Sequence, residues 1–374
     1  MTGFTLSVQP IESRSALESE WRAFEARVAP GFFLSAAWLG TWLATLPPAM
    51  RLYRAAAHRN GEIAGLAILA ANAVRAFMRA PSRGLHLNAT GDERWDCIAI
   101  EHNGFLATPN DQPALIAALG EWFAGGASGL GDELRLSGIA AALPAAFLDR
   151  HRLLHSTQTR AGFAVDLSRV RVAGDFATLL SSNARQQLRR AQRDFVQDGA
   201  VAVAEAHDTG EALAYFAALK DLHVRSWDRR GQRHAFVEPY FETFHRALIE
   251  REFARGAIQL LRVAVADRAI GYLYNFRHGG RIYAYQSGFD DVDRKRRPGV
   301  LTHALAIGHN AAAGAMAYDF LAGENQLKAS FATERYELAW QVIRFPRLKY
   351  RLELAARHAK RRLLGSARPP SAPS

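Results

Sequence analysis

Residues 281–321 read RIYAYQSGFDDVDRKRRPGVLTHALAIGHNAAAGAMAYDFL, and the order of segments in this stretch decides the fold class. Arg281 to Phe289 is strand-like, with aromatic and β-branched residues throughout. A basic turn, Arg294-Lys295-Arg296-Arg297, follows. Pro298 then suits the first turn of a helix reaching Gly314, because the N–H that proline lacks has no helical acceptor there. Ala317 to Leu321 is a short apolar run, read as a strand parallel to the first, since a helical crossover is what parallel neighbours require.

Ile258–Ala266 and Ala269–Arg277 read as two further strands just upstream, and Phe163–Leu167 and Ala200–Glu205 as two more. Three helices are expected over Asp175–Gln197, Glu211–Arg229 and Pro239–Arg255. A strand around Leu338–Phe345 and a basic tail close the chain. The first half has the same grammar. Leu17, Trp21 and Phe24 stand at helical spacing within residues 16–45. Asn60-Gly61 between Leu52–His58 and Ile63–Ala70 is a hairpin signal, because both residues tolerate the positive φ of a tight turn. Leu85–Leu87, Cys97–Ile100 and Glu133–Leu136 read as short strands, and Pro113–Phe123 as a helix. Leu52–Ala57 with Ile63–Leu66 echoes Leu260–Val265 with Ala269–Tyr272 at a separation of about 200 residues, which fits duplication of a whole domain and not a solenoid.

Composition narrows the classes. The chain has 374 residues, 49% hydrophobic and 22% charged, which is enough for two cores and outside the disordered regime. Cys97 is the sole cysteine, so an intramolecular disulfide and a thiolate zinc cluster are excluded. Thirteen histidines occur without metal-site spacing, and no metal is expected. There is no P-loop and no Gly-x-Ser-x-Gly elbow. Asp291-Val292-Asp293 matches an Asp-x-Asp motif, but three residues recur by accident. Met1–Pro10 lacks the pattern of a secretory signal. Gly31–Met50 carries no formal charge, but its helix-forming part is too short to cross a bilayer and is expected to be buried.

A net charge of +11 favours an anionic partner. The charge concentrates at Arg185–Arg193, Arg294–Arg297 and Arg347–Arg368. The N–H groups of Gly299, Val300 and Leu301 at a helix start, with Arg294, Lys295 and Arg296 beside them, form the donor set that a diphosphate needs. A solvated basic turn is the alternative reading. Arg185, Arg189 and Arg193 share a helix face by i, i+4 spacing, and guanidinium groups suit phosphates; a plain amphipathic helix is again the alternative.

Taken in order, Ser287-Gly288-Phe289-Asp290, Pro298-Gly299-Val300-Leu301, Tyr318-Asp319-Phe320-Leu321-Ala322-Gly323 and Leu327–Thr333 resemble the two-domain GNAT-like acyltransferases. These include CelD-type proteins of cellulose biosynthesis and relatives of the FemAB peptidoglycan-bridge transferases. Ser182–Ala191 is similar to their arginine-rich helix. The likeness covers roughly residues 15–350.

The resemblance implies an α/β (α+β) fold of tandem GNAT-like domains, each a mixed, mostly antiparallel sheet flanked by helices. The domains would be 1–160 and 161–350, with a basic tail over 351–374. Acetyl-CoA, as cosubstrate, would lie between Arg281–Phe289 and Ala317–Leu321, its diphosphate on Arg294, Lys295, Arg296, Pro298, Gly299, Val300 and Leu301. The single Pro-Gly departs from the usual Gln/Arg-x-x-Gly-x-Gly/Ala phosphate signature.

Because an amine attacks a thioester directly, the enzyme need supply only alignment, an oxyanion donor and proton removal. Ser287 and Gly288 amides are the expected carbonyl donors, Asp319 or Glu324 the base, and Lys328 a substrate or oxyanion contact. Arg185, Arg189 and Arg193 would face the acceptor. That acceptor is expected to be an amino sugar, nucleotide- or lipid-linked, in exopolysaccharide or cell-envelope synthesis. Two alternatives stay open: FemAB-like transfer from aminoacyl-tRNA, and a non-catalytic module binding a phosphorylated ligand such as cyclic-di-GMP. The tail is read as a contact for that dinucleotide, for anionic lipid, or as a solubilising end. The expected location is cytoplasmic, or peripheral at the inner membrane.

Overall fold

The computed structural model describes residues 3–75, 81–126, 129–290, 292 and 294–353. Most of the expected tail, and Asp291 and Asp293 of the Asp-x-Asp match, lie outside the described residues. Contacts divide the described residues into two compact units: those up to 159 together with 338–353, and 160–337. The stretch 338–350, which the sequence reading joins to the second domain, thus returns to the first unit.

The strands of the first half are β1 (Thr5–Pro10), β2 (Leu52–Arg59), β3 (Glu62–Arg75), β4 (Pro81–Leu87) and β5 (Glu133–Ile139). Those that follow are β6 (Leu154–Asp166), β7 (Val201–Glu205), β8 (Ile258–Val265), β9 (Arg268–His278), β10 (Arg281–Phe289), β11 (Ala317–Ala322) and β12 (Glu334–Arg344). The first unit orders its sheet β1-β2-β3-β4-β5-β12, antiparallel except for the parallel pair β4–β5. The second orders its sheet β7-β8-β9-β10-β11-β6, antiparallel except for the parallel pair β10–β11. The two units repeat one plan, which is the duplication that the hairpin echo suggested.

The helices are α1 (Arg14–Val28), α2 (Ala36–Thr45), α3 (Glu93–Asp96), α4 (Gln112–Ala124), α5 (Ala145–Arg150), α6 (Leu167–Ala173), α7 (Ser182–Val196), α8 (Thr209–Asp228), α9 (Pro239–Glu252), α10 (Pro298–Ala312) and α11 (Gln326–Phe331). In each unit one helix makes the parallel crossover, α4 between β4 and β5 and α10 between β10 and β11. In α10, Leu301, Ala306, Ile307 and Ala311 recur at helical spacing. They pack with Leu261, Val263, Ile282, Tyr318 and Phe320 of the sheet. At the Asn60-Gly61 turn both residues have positive φ, 54° and 84°, as a tight hairpin requires. α2 is buried along most of its length, Trp38 and Trp42 included. No helix among the described residues is long and apolar enough to cross a membrane.

Two local expectations fail. Cys97–Ile100 is a turn, not a strand, because the Asp96 carboxylate accepts from the amides of Thr90 and Gly91 at 2.7 Å each and closes a loop there. Asp175 caps only a short 3-10 turn; α7 starts later, where Ser181 Oγ accepts from the Ala184 amide.

Candidate active site

β10 and β11 pair at only three positions, Arg281↔Ala317, Ile282↔Tyr318 and Tyr283↔Asp319. Beyond them β10 runs on to Phe289 and β11 to Ala322, unpaired to each other. Two features open this splay. Tyr285 is an extra residue against β9, where the register shifts between Ala284 and Gln286, and a bulge bends a strand. On the other side Leu321 has φ 64°, which turns β11 away. Asp319 holds that turn: its carboxylate accepts from the Leu321 amide at 2.8 Å and the Tyr336 hydroxyl at 2.7 Å, and pairs with Arg281 at 3.1 Å.

The edge of β10 at Ser287 faces the gap. The Ser287 amide donates to its neighbour's Gln286 Oε1 at 3.0 Å, and the Ser287 carbonyl accepts from His223 Nδ1 of α8 at 2.9 Å. A residue's N–H and C=O point to the same side of an extended strand. Both groups are therefore met by side chains on the edge away from β9. Gly288 lets α8 seat directly on β10, since a Cβ there would lie 2.3 Å from the Leu219 carbonyl oxygen.

The basic loop meets the head of α10 beside this gap. Arg297 adopts the left-handed conformation, φ 58°, and its carbonyl accepts from the Val300 amide at 3.0 Å and the Leu301 amide at 3.4 Å. Of the three amides expected to face an anion, only Gly299 has no protein acceptor among the described residues. Pro298 and Leu301 are buried; Gly299 lies under the Phe289 ring. Arg296 is a strut, paired with Asp198 at 2.5 Å and stacked over Phe195 at 4.3 Å. Arg297 donates to Gln187 of α7. Arg294 and Lys295 are exposed.

The remaining expected residues are not gathered at one point. Asp319 is fully buried, whereas Glu324 is exposed on the loop after β11. Lys328 Nζ donates to the Ala322 carbonyl at 2.9 Å, at the C-terminal end of β11. On α7, Arg185 folds back onto the carbonyls of Ala177 and Leu180, at 3.0 and 2.9 Å, while Arg189 and Arg193 are exposed. The loop docks through Gln187 and Phe195, so the three arginines do not form one face toward it.

Two histidines that sequence reading passed over stand here. His303 of α10 bonds the Tyr318 hydroxyl at 3.0 Å and lies under Phe289 and Phe320; burial, then the Lys328 charge, push it down to about 3. His223 is pushed down to about 4, chiefly by burial. Both stand among apolar neighbours at helical spacing, so nothing in the sequence separates them from core residues. Among the described residues no group of side chains could hold a metal ion.

The first unit supplies an internal control. β4 and β5 also pair at three positions, Gly84↔Glu133, Leu85↔Leu134 and His86↔Arg135. There the gap is stitched shut. Asn103 Nδ2 donates to Leu87 O at 2.8 Å and Ser137 O at 2.9 Å, and the Asn103 amide donates to Gly138 O at 2.8 Å. The crossover helix α4 is headed by Asp111, paired with Arg59 at 2.5 Å, where α10 is headed by cations. The Thr108 hydroxyl and then Arg59 hold the Asp111 carboxyl below its usual value, and the Arg59 guanidinium balances its charge.

An antiparallel run, a helical crossover to a parallel strand and a splay between the two, present twice, define the tandem GNAT-like fold. Residues 182–329 match the family described as acetyltransferase (GNAT) domain, a stretch wholly within the second unit. The chain is also similar in structure to FemX, with 14% identity, 93% of this chain and 99% of that one covered, and a TM-score of 0.59. A second similar structure is the C-terminal domain of a candidate lysylphosphatidylglycerol synthetase from Agrobacterium fabrum, with 10% identity, coverage of 93% and 97%, and a TM-score of 0.54. At these identities the likeness is one of fold. No curated protein matches the chain in sequence.

Proposed function

We propose that the chain is an acyltransferase that takes acetyl-CoA in the splay of the second unit and transfers the acetyl group to an amine, on an amino sugar of an exopolysaccharide or cell-envelope precursor. One observation carries this reading: the two units share a plan, but only the β10–β11 gap is open and led by a cationic helix head. The diphosphate would rest on Gly299 N–H, Arg294 and Lys295. The pantetheine arm would run along the free edge of β10, and the thioester carbonyl would displace Gln286 Oε1 from the Ser287 amide. Asp319 acts in this scheme by shaping the gap, since its carboxylate already accepts from three donors. Glu324 remains the candidate base among the expected residues, and Lys328 a contact for an acceptor phosphate.

Isothermal titration with acetyl-CoA and with aminoacyl-tRNA tests the donor, and thiol release in the presence of glucosamine tests the acceptor. Binding of acetyl-CoA with thiol release supports the proposal; binding of charged tRNA alone favours aminoacyl transfer. The exposed Arg189 and Arg193 are the feature that speaks for the tRNA reading.

A further inference from the structure

We propose that the helical residues 348–353 seat the chain on an anionic lipid surface. Leu348 and Leu352 enter the headgroup layer, while Arg351 and the cations of residues 354–374 meet the lipid phosphates. The inference goes beyond the donor site and does not depend on it.

This turn of helix is fixed to the first unit by one face. Tyr350 is fully buried, and its hydroxyl bonds Ser82. Glu353 is buried and pairs with Arg344 at 3.4 Å. Arg347 and Lys349 both pair with Asp132, at 2.7 and 2.8 Å. A helix advances about 100° per residue, so Leu348 and Leu352 stand about 40° apart and nearly opposite the face of Tyr350 and Glu353. They are 71% and 49% exposed. A lone exposed leucine needs no explanation, but here two stand one turn apart on a helix whose fixed face sets their direction. Arg351 is exposed at the edge of the leucine face.

The charge around this face says what it meets. Residues 345–374 hold eight Lys and Arg against one Glu, so that stretch carries +7 of the chain's net +11. Beyond Glu353 the sequence has Arg357, Lys360, Arg361, Arg362 and Arg368 and no acidic residue. Exposed leucines beside a block of cations are the pattern of a segment that lies in a headgroup layer. The cations are attracted to anionic lipid, and the leucines gain by leaving water. The other readings of the basic tail use only half of this pattern. A cyclic dinucleotide would take the charge and leave the leucines in water, and a solubilising end has no use for an apolar face. A second copy would cover the leucines but bring two stretches of +7 together. An anionic membrane uses both features.

The test is co-sedimentation of the full chain with vesicles of equal parts phosphatidylglycerol and phosphatidylcholine, and with vesicles of phosphatidylcholine alone, at low and high salt. The wild type should bind the anionic vesicles at least about tenfold more tightly than the neutral ones, with most of that binding lost at high salt. The double variant Leu348→Gln, Leu352→Gln should weaken binding to anionic vesicles about tenfold, and Arg351→Gln about three- to fivefold, each with melting unchanged. Leu348→Phe, Leu352→Phe should bind as well as the wild type, because the face needs apolar bulk and not leucine itself; this variant separates lost docking from a damaged fold. No wild-type binding to anionic vesicles, equal binding to both vesicle types, or equal binding by the wild type and the glutamine variant overturns the proposal. So does a wild-type dimer in sedimentation equilibrium that the glutamine variant dissociates, which would assign the leucines to a second copy. None of these readouts involves acetyl-CoA, so failure here and failure of the donor site are distinct.

Discussion

At the scale of single residues, Gly288 and Asp319 shape the site without joining its chemistry. A methyl at position 288 has no room beneath the Leu219 carbonyl. Gly288→Ala should therefore cost about 2 kcal/mol of stability, as over-packing does, in urea denaturation. It should also lower transfer, because α8 braces the Ser287 edge of β10 through His223. Asp319→Ala leaves Arg281 without its partner and two donors without an acceptor. With Arg281 partly solvated, a loss of about 2 kcal/mol is expected. A full-strength variant with ordinary melting would remove Asp319 from the account of the splay. The aspartate was legible in the sequence as a carboxylate at a strand end. Its duty was not, because Tyr336 and Arg281 reach it from other strands and no local spacing announces them.

At the scale of elements, the head of α10 and the free edge of β10 form the proposed donor site. The Pro298 start, the crossover and the basic lip could all be read from residues 281–321. The sequence reading offered three open amides, but the left-handed Arg297 closes two of them back onto its own carbonyl. Recognition then leans on side-chain charge. Arg294→Ala and Lys295→Ala should each weaken acetyl-CoA about three- to tenfold, with a loss that shrinks as salt rises. Arg296→Ala should act chiefly on thermal stability, since Asp198 and Phe195 already occupy its guanidinium. The α7 arginines show where periodicity misleads: i, i+4 spacing aligns Arg185, Arg189 and Arg193, but the carbonyl-rich turn before the helix captures the first of them.

At the scale of the whole molecule, duplication has left one unit with an open gap and one with a closed one. The hairpin echo made the duplication legible. The closure was not, because Asn103 is far in sequence from the strands it joins and looks like any loop asparagine. The buried histidines add a pH dependence to the folded chain. His86, His223 and His303 are pushed from 6.5 to about 4, 4 and 3, each first by burial. The unfolded chain takes up these protons before the folded one does. Stability should thus be full above pH 6.5 and fall as pH drops through 6.5 toward 4 and 3. Denaturation midpoints across that range check the sign.

The most direct measurement is the stoichiometry of acetyl-CoA binding by isothermal titration of three chains: the wild type, an Arg294→Glu, Lys295→Glu variant, and Asn103→Ala. One site per chain is expected in the wild type, lost on charge reversal at the head of α10 and retained in Asn103→Ala. Two sites, or one site indifferent to the reversal, would contradict a single donor site in the second unit.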